Sequence, residues 1–144
     1  DVIDALSERE VFSPIMIMPF LPDEEISVDC LNTSTGLIAL PRIKGNAKYE
    51  VLRFDEEIIG ICREFQDKAG LEYPYNIQFK YLEGVPYFLE VNTRMSGGVQ
   101  MACYASGVNI PSLALKKLSG EAIEWNCDYE EKILAQVLQP VTIK

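Results

Sequence analysis

Histidine is absent from all 144 residues. Without an imidazole, the chain can supply neither histidine-based metal sites nor the Ser-His and Cys-His pairs of nucleophilic catalysis. Cysteine is sparse: Cys30, Cys62, Cys103 and Cys127 lie far apart and form no C-x-x-C pair. That usage points to small, reduced core residues of an intracellular, cytoplasmic protein, with a disulfide as the lesser alternative. Long apolar runs are also missing. The most apolar stretch, residues 14–21, is short and interrupted by Pro19, so no signal peptide or transmembrane run is visible. Cations are outnumbered, 13 Lys and Arg against 22 Asp and Glu, giving a net charge of −9. This balance argues against a general binder of nucleic acid or of acidic membranes, although a local basic pocket is compatible with it. No repeat, low-complexity tract or linker divides the chain, and a hydrophobic content of 48% is enough for one compact unit with a real core.

What is present is concentrated in residues 75–98, YNIQFKYLEGVPYFLEVNTRMSGG. Residues 75–81 alternate, with Ile77, Phe79 and Tyr81 apolar and Asn76, Gln78 and Lys80 polar, as in a strand with one face on a core. A second strand is expected over 85–91, with Tyr87, Leu89 and Val91 on one face and Phe88 and Glu90 on the other; Gly84 between the runs predicts a hairpin. A three-residue loop of Leu82, Glu83 and Gly84 puts Tyr81 opposite Val85, Gln78 opposite Phe88 and Asn76 opposite Glu90. Gln78, Glu90 and Asn92 then share one face, and Ile77, Phe79, Leu89 and Val91 the other. A two-residue loop would turn Gln78 to the apolar side, so side-chain chemistry selects the odd loop. The polar face offers one carboxylate and two amide oxygens, hard donors of the kind magnesium accepts. Arg94 follows where it could meet a phosphate, and Ser96, Gly97 and Gly98 read as a helix start that favours an anion. The alternative is a polar face that is simply solvated.

The rest of the chain reads as helices and strands of ordinary length. Residues 1–9 are expected to form a short helix. Residues 14–20, PIMIMPF, read as a buried strand that must stop at Pro19. Residues 24–31 alternate Ile26, Val28 and Cys30 against Glu25, Ser27 and Asp29, with Asp29 and Glu24 expected in solvent. A strand over 37–43 places Arg42 and Lys44 on one side, either facing a ligand or forming a solvated edge. A loop at 45–48 and a short strand at 49–53 follow. Residues 55–69 are the clearest helix, with acids in its first turn, an apolar stripe of Ile58, Ile61, Cys62, Phe65 and Ala69, and Gly70 as its cap. Helices at 97–105 and 110–118 and a strand at 132–143 broken by Pro140 complete the chain; Trp125 is expected to pack. The fold class predicted is α+β, an antiparallel sheet with helices packed on one face.

The run Asn-Ile-Gln-Phe at 76–79, then Phe-Leu-Glu-Val-Asn-Thr-Arg at 88–94 and Ser-Gly-Gly at 96–98, resembles the metal-binding hairpin of the ATP-grasp superfamily. The nearest flavour is the carbamoyl phosphate synthetase large subunit and biotin carboxylase group, and the likeness extends over about residues 14–120. The resemblance implies that residues 1–144 are the C-terminal lobe of an ATP-grasp fold, a piece of a longer protein whose N-terminal lobe and substrate domain lie elsewhere in the same chain. The start at Asp1, without methionine, fits that expectation. It implies an ATP-dependent ligase that activates a carboxylate as an acyl phosphate for attack by an amine. The cofactors would be ATP and two Mg2+ ions, with Mn2+ as a substitute, and the fragment alone would not turn over.

By position, the resemblance makes Pro19 (carbonyl) and Leu21 (N–H) the adenine contacts and Glu25 the ribose contact, with Phe88 as a further nucleotide-binding residue. Gln78 and Glu90 would hold one metal, and Glu90 with Asn92 the second. Arg94, with Lys44 and Arg42, would meet the phosphates or a carboxylate-like substrate. The glutamine at position 78 departs from the carboxylate of many ATP-grasp proteins, which lowers the charge of the first metal site. A non-catalytic regulatory or assembly module and an ATP-grasp phosphotransferase are the competing readings. The expected partners are small carboxylates and amines, with no nucleic acid or membrane; self-association stays open.

Overall fold

The computed structural model describes residues 2–8, 11, 13–45, 49–127 and 130–137. Its elements in chain order are α1 (Val2–Ser7), β1 (Glu25–Thr33), β2 (Gly36–Lys44), β3 (Glu50–Leu52), α2 (Glu56–Ala69), β4 (Tyr75–Leu82), β5 (Val85–Asn92), α3 (Val99–Ser106), α4 (Ile110–Ser119) and β6 (Lys132–Leu134). Six strands form one sheet in the order β5-β4-β1-β2-β3-β6, and neighbours run antiparallel. The α+β class and the antiparallel sheet are therefore as the alternation required. Portions of three expected elements, residues 1, 9, 46–48 and 138–143, lie outside the described residues.

Chain order explains the layering. After the β1–β2 hairpin and β3, helix α2 carries the chain across one face so that β4 can pair with the far side of β1. Asp55 starts that helix by accepting a hydrogen bond from the N–H of Ile58 at 3.1 Å, and Gly70 ends it in the left-handed conformation. Its Ile58, Ile59 and Cys62 close over Ile26, Val28 and Cys30 of β1, Ala39 and Ile43 of β2, and Tyr75, Ile77 and Phe79 of β4. On the opposite face, Leu31, Ile38, Leu40 and Leu52 pack against Ala102 and Ala105 of α3 and Ile110, Leu113 and Ala114 of α4. The helices thus divide between the two faces instead of gathering on one. The physical reason lies in β1 and β2, which are buried on both sides and carry apolar residues of both parities.

Three local expectations change. Residues 14–20 form no strand, and Met16, Ile17 and Phe20 are exposed. A strand apolar on both faces needs ladder partners and cover on both sides, and Pro19 cannot donate to a ladder. Asp29, expected in solvent, is buried. The β4–β5 loop has two residues, because Leu82 pairs with Val85 and leaves Glu83 and Gly84 at φ 52° and 78°. Both central residues with positive φ define the hairpin turn that matches strand twist.

Burial holds the Cys30 thiol well above its ordinary value, with the neighbouring Cys62 adding to the effect, and burial likewise raises Tyr75. Both groups stay neutral in the folded protein at pH values where the unfolded chain has begun to release their protons. Their contribution to stability is therefore complete below pH ~8.5 and declines as pH rises. The urea midpoint should fall between pH 7.5 and pH 10, roughly spanning the ordinary thiol and phenol pKa values. In Cys30→Ala the decline over the thiol's part of that range should be shallower; an unchanged slope would show that Cys30 titrates alike in both states.

Candidate functional site

Register brings the polar residues together. Ser27 on β1 pairs with Arg42 of β2 on one side and Gln78 of β4 on the other, and Gln78 pairs with Glu90 of β5. One rung away, Asp29 pairs with Asn76, which pairs with Asn92. On the other side, Glu25 pairs with Lys44 and Lys80. Residues directly opposite across antiparallel strands point the same way, so these rungs form one polar area on the face that carries α3 and α4.

The hairpin reaches this arrangement by a route the sequence did not predict. The two-residue turn alone would have sent Gln78 to the apolar face. A register shift between Gln78 and Phe79 restores it: Phe79 pairs with Phe88, Gln78 pairs with Glu90, and Leu89 is the extra residue. Gln78 therefore faces Glu90 instead of Phe88, and Asn76 faces Asn92 instead of Glu90. The same bulge moves Phe88 to the other face. Its ring lies 5.9 Å from Phe79, edge to face, and 6.0 Å from Phe65 of α2. Phe88 is thus on the α2 side, away from Gln78 and Glu90, and Tyr87 takes the site side opposite Lys80.

A cavity of about 230 Å³ opens on the polar face, lined by Arg42, Lys44, Gln78, Arg94 and the Ser96–Gly97–Gly98 turn among others. Glu90 is exposed beside it, and Asn92 is half-buried. The amide of Asn92 donates through Nδ2 to Glu90 Oε1 at 2.8 Å. Gln78 donates through Nε2 to Asn76 Oδ1 at 3.5 Å. Both amides are anchored by their nitrogen ends, which leaves their oxygens available as acceptors or ligands. One carboxylate and two amide oxygens fit magnesium, which keeps waters and phosphate oxygens in its shell. Among the described residues, no group of three His, Cys, Asp or Glu side chains is placed to hold a metal by itself.

The cations differ in their commitments. Arg42 is buried to 1% exposure, and its guanidinium donates to Asp29 Oδ2 from Nε at 3.2 Å and from Nη2 at 3.1 Å, to Glu50 Oε2, and to Ser96 Oγ at 3.0 Å. The solvated-edge reading fails for Arg42, and so does the free phosphate contact, because a buried guanidinium needs these carboxylates for charge compensation. Only its edge borders the cavity. Lys44 is exposed enough to exchange partners and forms an ion pair with Glu25. Arg94 is exposed and donates from Nη1 to the Met95 carbonyl at 3.1 Å. Pro19 is exposed and Leu21 is buried in the irregular segment leading to β1. Beside them, the Phe20 ring lies 5.7 Å from the Lys80 ammonium.

Ser27, Asp29 and Glu50 belong to this cluster without having been singled out, while Asn76 was expected only as a polar strand residue and Ser96 and Gly98 only as an anion-favouring helix start. The signal was there in part: Glu25, Ser27 and Asp29 alternate on a strand whose other face is fully apolar. Burial of that polar row depends on the β5–α3 turn, which sequence spacing does not place.

Gly98 has a specific reason. A Cβ built there would lie 2.3 Å from Arg42 Nη1 and 2.7 Å from Cζ and Nη2. The guanidinium cannot yield without breaking its ion pairs. Gly98→Ala should therefore destabilise the fold by about 1–3 kcal/mol, as overpacking does, measured by urea denaturation. Wild-type stability in that variant would mean that the Arg42 cluster is loose.

The family described as "ATP-grasp in the biosynthetic pathway with Ter operon" matches residues 11–141. The carbamoyl phosphate synthase large chain of Saccharolobus solfataricus is 31% identical over 81 residues, covering 56% of this chain and 7% of that protein. Its counterpart from Clostridium perfringens is 26% identical over 153 aligned residues, 93% of this chain and 14% of its own length. The chain therefore spans a small part of the curated relatives it matches. Among solved structures, the biotin carboxylase–βγ-ATP complex from Campylobacter jejuni superposes with a TM-score of 0.63 at 20% identity, over 79% of this chain and 30% of that one. The urea amidolyase of K. lactis gives 0.63 at 14% identity, over 80% and 8%. At these identities the structural likeness speaks for the fold.

Proposed function

The chain belongs to the ATP-grasp family, and on that premise we propose that its polar sheet face is the metal- and phosphate-binding wall of an ATP-dependent ligase. In this reading, residues 1–144 are the C-terminal lobe of a longer protein. The observation that carries the proposal is the pair of amide anchors: Gln78 and Asn92 are both held by their nitrogen ends, on the same face as an exposed Glu90. A merely solvated face has no need to orient two amide oxygens alongside a carboxylate.

Gln78 and Glu90 would hold one magnesium ion, and Glu90 with Asn92 a second. The ions supply neutralisation of charge on the terminal phosphates of ATP. Arg94, on the turn that follows β5, pairs with a phosphate oxygen as a charge-assisted donor. Lys44 is already a solvent-facing cation; leaving Glu25 for a phosphate exchanges one ion pair for another at small cost, since such exposed pairs contribute about 0–1 kcal/mol. Glu25, once released, can accept hydroxyl hydrogen bonds from a ribose. Pro19 and Leu21 would offer a carbonyl and an N–H to adenine. Arg42 takes no ligand in this reading, because its guanidinium is already engaged by Asp29 and Glu50, and Phe88 takes none because it faces α2. The reaction class proposed is phosphorylation of a carboxylate by ATP, followed by attack of an amine or similar nucleophile on the acyl phosphate. In that chemistry the protein contributes placement and electrostatics.

The test is calorimetry on the full-length protein. Glu90→Gln removes the one carboxylate of the set at nearly constant shape. It should abolish magnesium-dependent ATP binding while leaving the melting temperature close to wild type. Unchanged MgATP affinity would refute the assignment.

A further inference from the structure

Asp29 is a carboxylate that touches neither solvent nor the cavity, yet it is connected to both halves of the site. Its Oδ2 accepts from Arg42 Nε and Nη2, at 3.2 and 3.1 Å. Its Oδ1 accepts from the backbone N–H of Ser96 and from Asn76 Nδ2, each at 3.3 Å. One side chain on the central strand therefore ties together β2, β4 and the turn between β5 and α3. Asn76 in turn accepts from Gln78 Nε2, the bond that presents the Gln78 oxygen. Ser96 lies two residues beyond Arg94, and its hydroxyl accepts from Arg42 Nη2 and from the Gly98 N–H.

We infer that Asp29 is a positioning residue for the metal and phosphate groups of this face, acting through Asn76 on Gln78 and through the Ser96 N–H on the turn that carries Arg94. This rests on the ATP-grasp reading of the face above. The need for an anion at this point follows from its four donors. A neutral amide of the same shape has one oxygen, so its nitrogen would oppose either the guanidinium or the Ser96 N–H and Asn76 amide. An aliphatic residue would strand Arg42 Nε and the Ser96 N–H, while Arg42 Nη2 would keep Ser96 Oγ and the Asn76 amide, which also donates to Ser27 Oγ and the Val28 carbonyl at 3.0 Å each, would lose one of its three acceptors. The carboxylate thus fixes where a strand and a turn stand relative to each other, a distance on which ligand geometry depends. Partners that orient a metal's ligands typically change affinity by about 10- to 100-fold when removed.

Asp29→Asn in the full-length protein tests this with ATP and Mg2+ as probes. Affinity for ATP should drop by about 10- to 100-fold in magnesium and by clearly less in EDTA, where only the turn that carries Arg94 is disturbed. Hydrogen exchange at the Ser96 amide should quicken in the unliganded protein. An unchanged magnesium effect, or an equal loss with and without magnesium, would overturn the inference; the equal loss would be general damage to the cleft. If Asp29→Asn does not fold, Asn76→Ala decides, since it cuts the link to Gln78 and spares the buried ion pair: loss of the magnesium effect supports the inference, and retention overturns it. Glu90→Gln, run alongside, separates the two levels. If it keeps full MgATP affinity, the reading of the face falls and this inference with it. If it loses affinity while Asp29→Asn does not, only the role of Asp29 is wrong.

Discussion

A carboxylate and a guanidinium nearly excluded from water sit in the middle of this sheet, and the candidate site is assembled around them. The side chains of Arg42 and Asp29 are 1% and 2% exposed. Removing either charge from water costs several kcal/mol, and mutual attraction offsets that cost only when the remaining hydrogen-bonding groups are also satisfied. Here they are: Glu50, Ser27, Ser96 and Asn76 complete the cluster. Stability alone does not account for such a pair, since apolar residues of similar volume can be equally or more stabilising at buried ionic positions. What an apolar substitute cannot do is engage the N–H of Ser96 and the amide of Asn76 at fixed positions. The pair therefore trades generic packing for a defined relation between two strands and the turn that begins α3.

That relation explains the uneven character of the sheet. The α2 face is apolar throughout, from Ile26 and Val28 to Ile77 and Phe79. The opposite face changes along the strands. Near Leu31, Ile38 and Leu40 it is covered by α3 and α4, while at Ser27, Arg42 and Gln78 it becomes polar and meets only the start of α3. Gly98 marks the boundary. Its missing side chain lets the helix start approach the guanidinium, where the N–H groups of Gly98 and Val99 donate to the hydroxyl and carbonyl of Ser96.

Much of this was legible in the residues. The alternation of β1 and β4, the capped helix α2 and the Gln-Glu-Asn set on one face all follow from period and end signals. Three features were not. The hairpin register rests on a bulge at Leu89, and a bulge combined with a two-residue turn leaves Gln78 on the same face as the odd loop would have done. Two wrong steps and two right ones are indistinguishable by parity until the partner residues are seen, which is why Phe88 was placed on the wrong face. Asp29 looked like a solvated strand residue because its burial comes from Ser96, 67 positions away. Residues 14–20 looked like a buried strand because apolarity on both faces implies cover, and none of the described elements supplies it.

The composition of the ligand set constrains how the proposed site would work. Glu90 is its only carboxylate, and the two neighbouring donors are neutral amides. A divalent cation held by one negative charge and neutral oxygens is bound weakly, and magnesium in particular gives up its waters reluctantly. Phosphate oxygens would supply the missing charge in the proposed site, so metal and nucleotide would each raise the other's affinity by the same factor. A site built this way would have no need of a charged metal cage of its own. It would need amide oxygens held at the right spacing, and the hydrogen bonds that hold them, from Gln78 to Asn76 and from Asn92 to Glu90, are the feature that a random polar strand pair would lack.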